Sequence, residues 1–315
     1  MKSIILKQAI KKNRKILLLI FLVVINFSMR AQQDPQYAQY MYNTTYINPG
    51  YAGSEEFMKV TGSYRTQWVG MDGAPKTASL SVNTPINDKI GIGVSLVNDN
   101  IGISDENNLA VDLSYGFKIN TVKLAFGIKT SLNLLSVDYS KLSIFDKTDQ
   151  VFLNNIESQF SPNVGTGIYA YSDKFYAGLS VPQLLETKGY NTKSYAVVQK
   201  KAHAYLIGGY VFDLDYNLKF KPAFMMKAVQ GAPLQLDTSA NFLYAEKFSA
   251  GISYRLSSSF STLLGFQVSD KLFVGYSYDT EITKLSNYNS GSHEIFIGFK
   301  ILKGKDAKLF NPRFF

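Results

Sequence analysis

Cysteine is absent from this chain of 315 residues, and histidine occurs only twice, as His203 and His293. Without cysteine the chain can form no disulfide, no thiol nucleophile and no cysteine-based metal centre. Two imidazoles exclude a histidine-rich metal site and leave few candidates for a histidine-based catalytic centre. These absences predict a protein without cofactor or metal, and they favour a non-enzymatic role.

Long apolar runs are also scarce. The longest, Ile16 to Phe27, follows a basic region and precedes Ala31. It is shorter than the roughly 17 to 25 residues that a membrane-spanning helix needs. Residues 1–31 are therefore predicted to be a secretory signal peptide, cleaved after Ala31. A retained anchor is the alternative, because Met29 stands where a cleavage site usually has a small residue.

Acidic residues are missing from residues 1–31, which hold five Lys and two Arg. The formal net charge therefore falls from +9 to 9 − 7 = +2 once this segment is removed. The remaining basic residues are scattered among Asp and Glu, whereas nucleic-acid binding needs a clustered basic face. No nucleic-acid partner is expected.

Aromatic residues are abundant, with 21 Tyr and 22 Phe, and apolar side chains recur at every second position. A period of two is typical of β-strands. Between residues 109 and 118 one face carries Leu109, Val111, Leu113, Tyr115 and Phe117, and the other carries Ala110, Asp112, Ser114, Gly116 and Lys118. The chain is therefore predicted to be all-β.

Fourteen strands are predicted, at residues 57–67, 76–84, 89–99, 106–118, 122–134, 162–171, 175–182, 202–213, 217–227, 234–244, 247–256, 259–269, 271–282 and 293–302. Connections leaving even-numbered strands are short, whereas those leaving odd-numbered strands are mostly long, including Asn100 to Asp105 and Leu135 to Ser161. Bacterial outer-membrane barrels have this pattern and an even strand count. We expect a transmembrane, antiparallel, up-and-down β-barrel with both termini in the periplasm. A soluble surface module of β-sandwiches is the alternative.

The expected organisation is a signal peptide (1–31), an N-terminal periplasmic or plug segment (32–56), an outer-membrane barrel (57–302) and a C-terminal periplasmic tail (303–315). The aromatic outer face would contact outer-membrane lipid. The lumen would carry mixed charges from Asp112, Lys118, Lys123, Lys129, Lys219, Lys221, Lys227, Asp237, Asp279, Glu294 and Lys300.

Two local clusters could suggest chemistry. His293 and Glu294 lie beside serines, but adjacent strand residues point to opposite faces and do not share a pocket. Asp99, Asp105 and Glu106 offer oxygen ligands for Ca²⁺, but they lack the twelve-residue loop spacing with its closing Glu. We expect neither a catalytic nor a metal site.

Several motifs resemble the PorP/SprF family: DPQYAQYMYNTTYINPGYAG from Asp34, YRTQWVGMDGAPKT from Tyr64, PAFMMKAVQGAPLQLDTSANFLY from Pro222, GYSYD from Gly275, NYNSGSHEI from Asn287 and the closing NPRFF. They follow one another in order over almost the whole mature chain. The resemblance implies an outer-membrane protein of the type IX secretion system of Bacteroidota. Such proteins help to secrete or anchor large surface proteins, including gliding adhesins, without catalysis.

The motif residues predict two contact regions. A partner-binding set on the extracellular loops comprises Trp68, Asp72, Gly73, Pro75, Gly231, Pro233, Asn287, Tyr288, Asn289 and His293, with Trp68 and Tyr288 as aromatic anchors. A second set, acting as plug or periplasmic contact, comprises Asp34, Pro35, Gln36, Tyr37, Tyr40, Asn48 and Pro49. The alternative is that the loop residues are turn formers and members of the interfacial aromatic belt, and that the N-terminal segment is a disordered lead-in.

The expected partners are a secreted type IX client protein, bound through its C-terminal signal domain, and other subunits of the secretion system. A second function is left open by the sequence. Roughly fourteen strands enclose room for a channel unless side chains or the N-terminal segment fill it, so a transport barrel for small solutes is the alternative.

Overall fold

Residues 41–143, 155–188 and 199–301 are described by a computed structural model. The signal peptide, Asp34 to Tyr40 and the C-terminal tail lie outside these residues, so the predictions for them stay predictions. No helix in the described ranges has the length and apolar character needed to cross a membrane. The helical turns are short: α1 (Thr44–Ile47) and the 3-10 turns Pro49–Tyr51, Tyr139–Lys141 and Lys284–Asn287.

Fourteen antiparallel strands form the wall when Phe212–Asp213 is counted as the end of the eighth. They are β1 (Met58–Thr66), β2 (Lys76–Pro85), β3 (Ile90–Ile101), β4 (Ser104–Ile119), β5 (Val122–Val137), β6 (Ile156–Tyr171), β7 (Phe175–Val181), β8 (His203–Tyr210), β9 (Leu218–Val229), β10 (Gln235–Tyr244), β11 (Phe248–Arg255), β12 (Ser259–Gln267), β13 (Leu272–Glu281) and β14 (Ser292–Ile301). A two-residue ladder, Thr187–Lys188 with Gln199–Lys200, lies apart from the wall.

Each strand pairs with its neighbours in the chain, and β1 also pairs with β14 from Met58↔Ile301 to Thr66↔His293. The sheet is therefore a closed up-and-down barrel, as predicted. Closure satisfies the backbone hydrogen bonds that would otherwise face hydrocarbon at an open edge. At one end the connections are short, for example Asn120–Thr121, and at the other they include the loops 67–75, 138–155 and 282–291.

The predicted alternation is present in the wall. Val94, Leu96, Leu109 and Val111 are exposed on the outer face, whereas Ala110, Asp112 and Ser114 are buried on the inner face. The outer apolar belt ends on these strands where Asn98 donates a side-chain hydrogen bond to Asn107 across the ladder, at 3.1 Å. Polar outer side chains such as these mark the boundary of the lipid-facing surface at the end of the barrel that carries the long loops.

One predicted loop was wrong, and another was predicted too long. Residues 100–105 form a tight hairpin, because β3 continues to Ile101 and β4 starts at Ser104. The loop after β5 is shorter than expected because β5 runs to Val137 and β6 begins at Ile156. In both places the ladder continues beyond the apolar belt, and polar outer residues break the alternation that the prediction used.

The interior is less polar than predicted. The aromatic residues were expected on the lipid-facing side, but several face inward and pack together in a cluster called the aromatic floor below. The aromatic floor comprises Tyr169, Tyr171, Tyr176, Tyr205, Phe273 and Phe296. The predicted inward charges are present too, although Lys118 is exposed and Lys123, Lys219 and Lys300 are half-buried close to the short connections.

Replacing Val111 with Lys would put a charge in the middle of the apolar belt. A lysine at the membrane midplane costs about 2–4 kcal/mol, and one near the interface about 0–1 kcal/mol. We therefore expect Val111→Lys to lower the free energy of unfolding by the larger amount and Asn100→Lys by the smaller. Urea titration in lipid vesicles, read by heat-modifiable gel mobility, measures both. Equal losses for the two variants would contradict the assignment of the belt.

Candidate functional site: the loop rim and the filled lumen

The predicted motif loops at the two sides of the β1–β14 seam lie against each other. Loop 67–75 follows β1 and loop 282–291 precedes β14. The backbone N–H of Val69 donates to the carbonyl of Gly291 at 2.9 Å, and that of Ser290 donates to the carbonyl of Val69 at 2.7 Å. These two joined loops are called the rim pair below. Their arrangement follows from closure, since the strands that carry them are neighbours only in a closed barrel.

Trp68 fastens the rim pair. Its backbone N–H donates to Ser292 Oγ at 3.1 Å, and its indole N–H donates to Glu281 Oε1 at 3.1 Å. Its φ of 45° lies in the left-handed region, which a bulky residue adopts only when its surroundings hold it there. Trp68 is half-buried, whereas Tyr288 is 72% exposed. The two predicted anchors thus differ, and Tyr288 offers by far the larger accessible ring.

The other predicted residues of these loops shape turns. Gly73 has φ 71°, and its carbonyl accepts from the Gly102 N–H at 2.9 Å in the neighbouring hairpin. The Pro75 carbonyl closes the base of its loop by accepting from Gln67. Asn289 accepts from the N–H of Gly291 at 2.8 Å. Asp72 and Asn287 are exposed, so with Tyr288 they offer accessible side chains on these loops.

Gly231 and Pro233 lie at the same end of the barrel but in a separate patch. Their connection between β9 and β10 is five strands away from β1 around the wall. Lys201 contacts this connection, because its Nζ donates to the Gln230 carbonyl at 2.9 Å. The structure thus brings together the loop that contains Trp68 and the loop that contains Tyr288. The connection that contains Gly231 lies apart from both.

His293 lies in β14 and not on a loop. Its Nδ1 is 2.7 Å from the hydroxyl of Tyr276 on the outer face, whereas Glu294 is buried on the inner face. The expectation that the two do not share a pocket is confirmed.

The acidic residues near Asp99 are likewise held apart: Asp99 accepts from Thr77 Oγ1, and Asp105 accepts from Asn98 and Asn107 on the outer face. In the described ranges no group of three or more His, Cys, Asp or Glu could hold a metal ion.

Beneath the rim pair three buried charges join the seam strands. Arg65 of β1 binds Asp279 of β13 at 2.5 Å and Glu294 of β14 at 3.2 Å, and all three side chains are at most 3% exposed. The register Arg65↔Glu294 places them on the same inner face. The sequence pattern indicated Asp279 and Glu294 as inward-facing, but Arg65 was missed. Its position, one residue before the end of β1 and in phase with Ser63, could have revealed it.

An exposed pair provides a contrast. At the start of loop 138–155, Lys141 and Asp138 form an ion pair at 3.5 Å with the lysine side chain 66% exposed. Hydrogen bonds from Ser140 lower the pKa of the Asp138 carboxyl, and Lys141 adds to this effect. Solvent screening leaves such a surface pair with little influence on stability.

Residues 41–55, called the lumen segment below, lie inside the lumen of the barrel. The side chain of Asn48 donates to the Ile168 carbonyl of β6 at 3.0 Å and accepts from Gly50 at 2.9 Å. Tyr42 packs on Phe273 and Phe296 of the aromatic floor, with ring centroids 5.1 and 5.0 Å apart. Of the predicted N-terminal contact residues, Asn48 and Pro49 therefore lie inside the barrel, and Asp34, Pro35, Gln36, Tyr37 and Tyr40 fall outside the described residues.

A closed antiparallel barrel with an apolar outer belt, short turns at one end and longer loops at the other is the architecture of an outer-membrane protein. The chain is therefore an outer-membrane β-barrel. Residues 29–299 match the family described as type IX secretion system membrane protein PorP/SprF, and the chain belongs to that family.

Two solved structures of outer-membrane barrels are similar to the chain. The CymD monoaromatic hydrocarbon channel is similar with a TM-score of 0.50 at 12% identity, covering 85% of this chain and 94% of that one. The Acinetobacter baumannii outer membrane protein Omp33 gives a TM-score of 0.47 at 11% identity, covering 79% of this chain and all of that one. At such low identity the likeness to CymD shows the fold alone. No curated protein matches the chain.

Removing one member of the buried trio should destabilise the barrel strongly. Arg65→Met leaves two carboxylates buried without their partner, and breaking a buried pair in this way costs about 3–5 kcal/mol. The control Lys141→Met at the exposed pair should cost under about 1 kcal/mol. Urea unfolding followed by the fluorescence of Trp68, the one tryptophan of the chain, measures both.

A variant that neutralises the whole trio tests the reason for that loss. Arg65→Met with Asp279→Asn and Glu294→Gln removes the uncompensated charge and should recover most of the stability. If this triple variant is as unstable as Arg65→Met alone, the loss comes from packing and not from charge.

Proposed function

We propose that this barrel is a non-enzymatic partner in type IX secretion that holds a secreted surface protein, such as a gliding adhesin, by binding its C-terminal signal domain at the rim pair. The end with long loops faces the cell exterior and both termini face the periplasm. Outer-membrane barrels have short periplasmic turns and longer extracellular loops, which supports this orientation. Family membership supports the link to secretion.

The main support for this binding site is the preformed rim pair. Its two loops are joined by backbone hydrogen bonds and fastened by Trp68. A surface that is ordered before its partner arrives loses less conformational entropy on binding. Tyr288 projects from this ordered base with 72% of its surface exposed, and tyrosine is enriched among residues that dominate binding energy. Tyr288 is therefore assigned as the main anchor and Trp68 as its support.

Tyr288→Ala should release the client and leave the barrel folded, because Tyr288 contributes little buried surface. Purification from outer membranes in mild detergent, followed by mass spectrometry, gives the amount of secreted protein recovered with the barrel. We expect at least a tenfold decrease for Tyr288→Ala, corresponding to a loss of about 1.4 kcal/mol in binding.

The matched control is Tyr216→Ala, which removes an even more accessible tyrosine, 94% exposed, from the short turn at the opposite end. It should retain the client. Full recovery with both variants would contradict a client site at the rim pair. If wild-type barrels bring down neither a secreted protein nor a secretion subunit, the transport alternative is favoured.

A further inference from the structure

The inner wall of the barrel is shaped to receive the lumen segment. Gly91 of β3, Gly127 of β5 and Gly167 of β6 lie so close to the segment that an added β-carbon would overlap the backbone of Ala52, the backbone of Pro49–Gly50, and the side chain of Asn48, respectively. On β7 a β-carbon at Gly178 would lie 2.6 Å from Asn48 Nδ2. Glycine permits a backbone or ligand to approach a strand this closely. These four glycines form a cradle spanning strands β3 to β7.

Polar groups beside the cradle bind the backbone of the segment. Three donate to its carbonyls: Lys129 Nζ to Thr45 at 3.1 Å, Ser180 Oγ to Ile47 at 2.7 Å and Ser114 Oγ to Ala52 at 2.6 Å. Asn83 Oδ1 accepts from the Gly53 N–H at 2.6 Å. Buried backbone groups need such partners, and the wall supplies them between Thr45 and Gly53 of the segment.

Apolar packing also holds the segment. Met41, Tyr42, Ile47 and Tyr51 are each at most 8% exposed and belong to one cluster with the aromatic floor. Tyr51 meets Tyr169 edge to face, with ring centroids 5.5 Å apart. Glu55 then binds Lys59 at 3.1 Å where the chain enters β1. The apolar side chains of the segment are therefore buried to the degree usual in a protein core.

We propose that residues 41–55 are a resident seal that closes this outer-membrane barrel to ions and small solutes, and that the cradle of Gly91, Gly127, Gly167 and Gly178 is the seat that holds it. The seal is built from the chain itself and is distinct from the rim pair. It separates this barrel in function from open channels with a similar wall.

Enlarging the seat tests the proposal. In Gly127→Ala/Gly167→Ala the two new methyl groups occupy the positions of Pro49–Gly50 and Asn48, so the segment cannot sit in place. The control Gly116→Ala lies on the same inner face, but its β-carbon would meet the flexible end of Lys123 at 3.2 Å, and none of its three nearest atoms belongs to the segment. Heat-modifiable gel mobility verifies that each barrel is folded.

Conductance in planar lipid bilayers is the readout. Wild type and Gly116→Ala should show no current steps in potassium chloride, and Gly127→Ala/Gly167→Ala should show steps of a water-filled pore, at least tenfold above the background. The proposal is overturned if wild type conducts like the double variant, or if the folded double variant is silent.

A disulfide keeps the proposal testable if the double variant does not fold. The chain has no cysteine, and a β-carbon at Gly93 would lie 2.9 Å from Thr45 Cγ2, so Thr45→Cys/Gly93→Cys places two thiols within bonding reach. Mild oxidation should crosslink the folded barrel, visible as a shift in mobility of the denatured chain that reductant reverses. A folded barrel in which these cysteines do not crosslink would contradict the position of the seal. Client capture is a separate measurement. A wild-type barrel that conducts would therefore contradict the proposed seal but not the proposed client site at the rim pair.

Discussion

Backbone hydrogen bonding in hydrocarbon is the constraint on which this structure depends. No water is available inside a bilayer to pair with an unsatisfied N–H or C=O group, so a spanning sheet must close. Here closure joins β14 to β1 over nine register pairs, from Met58↔Ile301 to Thr66↔His293. The buried trio of Arg65, Asp279 and Glu294 and the rim pair both lie across that seam. Neither would exist in an open sheet with the same strands.

Closure also creates an interior that must be filled or hydrated, since about fourteen strands enclose more space than their own inward side chains occupy. In this barrel one half of the lumen receives the lumen segment and the aromatic floor, while ion pairs such as Arg65–Glu294 and Arg255–Asp237 lie toward the long loops. This arrangement explains why several inward residues of the wall are small. Gly127 and Gly167 face each other across β5 and β6 because the segment backbone lies directly over them.

Much of the fold could be predicted because alternation is a local signal. Strand number, closure and the order of short and long connections follow from it, and β4 matches the prediction through its whole apolar stretch. The prediction failed where the polarity of the outer face changed. From Asn98 to Asn107 the ladder continues while the outer face becomes polar, so residues 100–105 were interpreted as a loop.

The candidate site was less predictable because its contacts are between distant parts of the chain. The pairing of Val69 with Gly291 and the bond from Trp68 to Glu281 depend on closure and on loop conformation, which no local pattern records. The inward aromatic residues had the same period as the lipid-facing ones, and only their neighbours reveal the difference. The place of Asn48 in the lumen could be recognised only after the glycines of the wall had been positioned.

The seam also determines the order of events during assembly. Arg65 and Glu294 are 229 positions apart, so their bond cannot form until nearly the whole wall has been synthesised and exported. Until then β1 presents an unpaired edge, which is a template for wrong partners. Contacts of such separation form slowly, and a half-inserted chain must be shielded during that interval. The Arg65–Glu294 bond can form only when β14 reaches β1, so it marks the closure of the barrel.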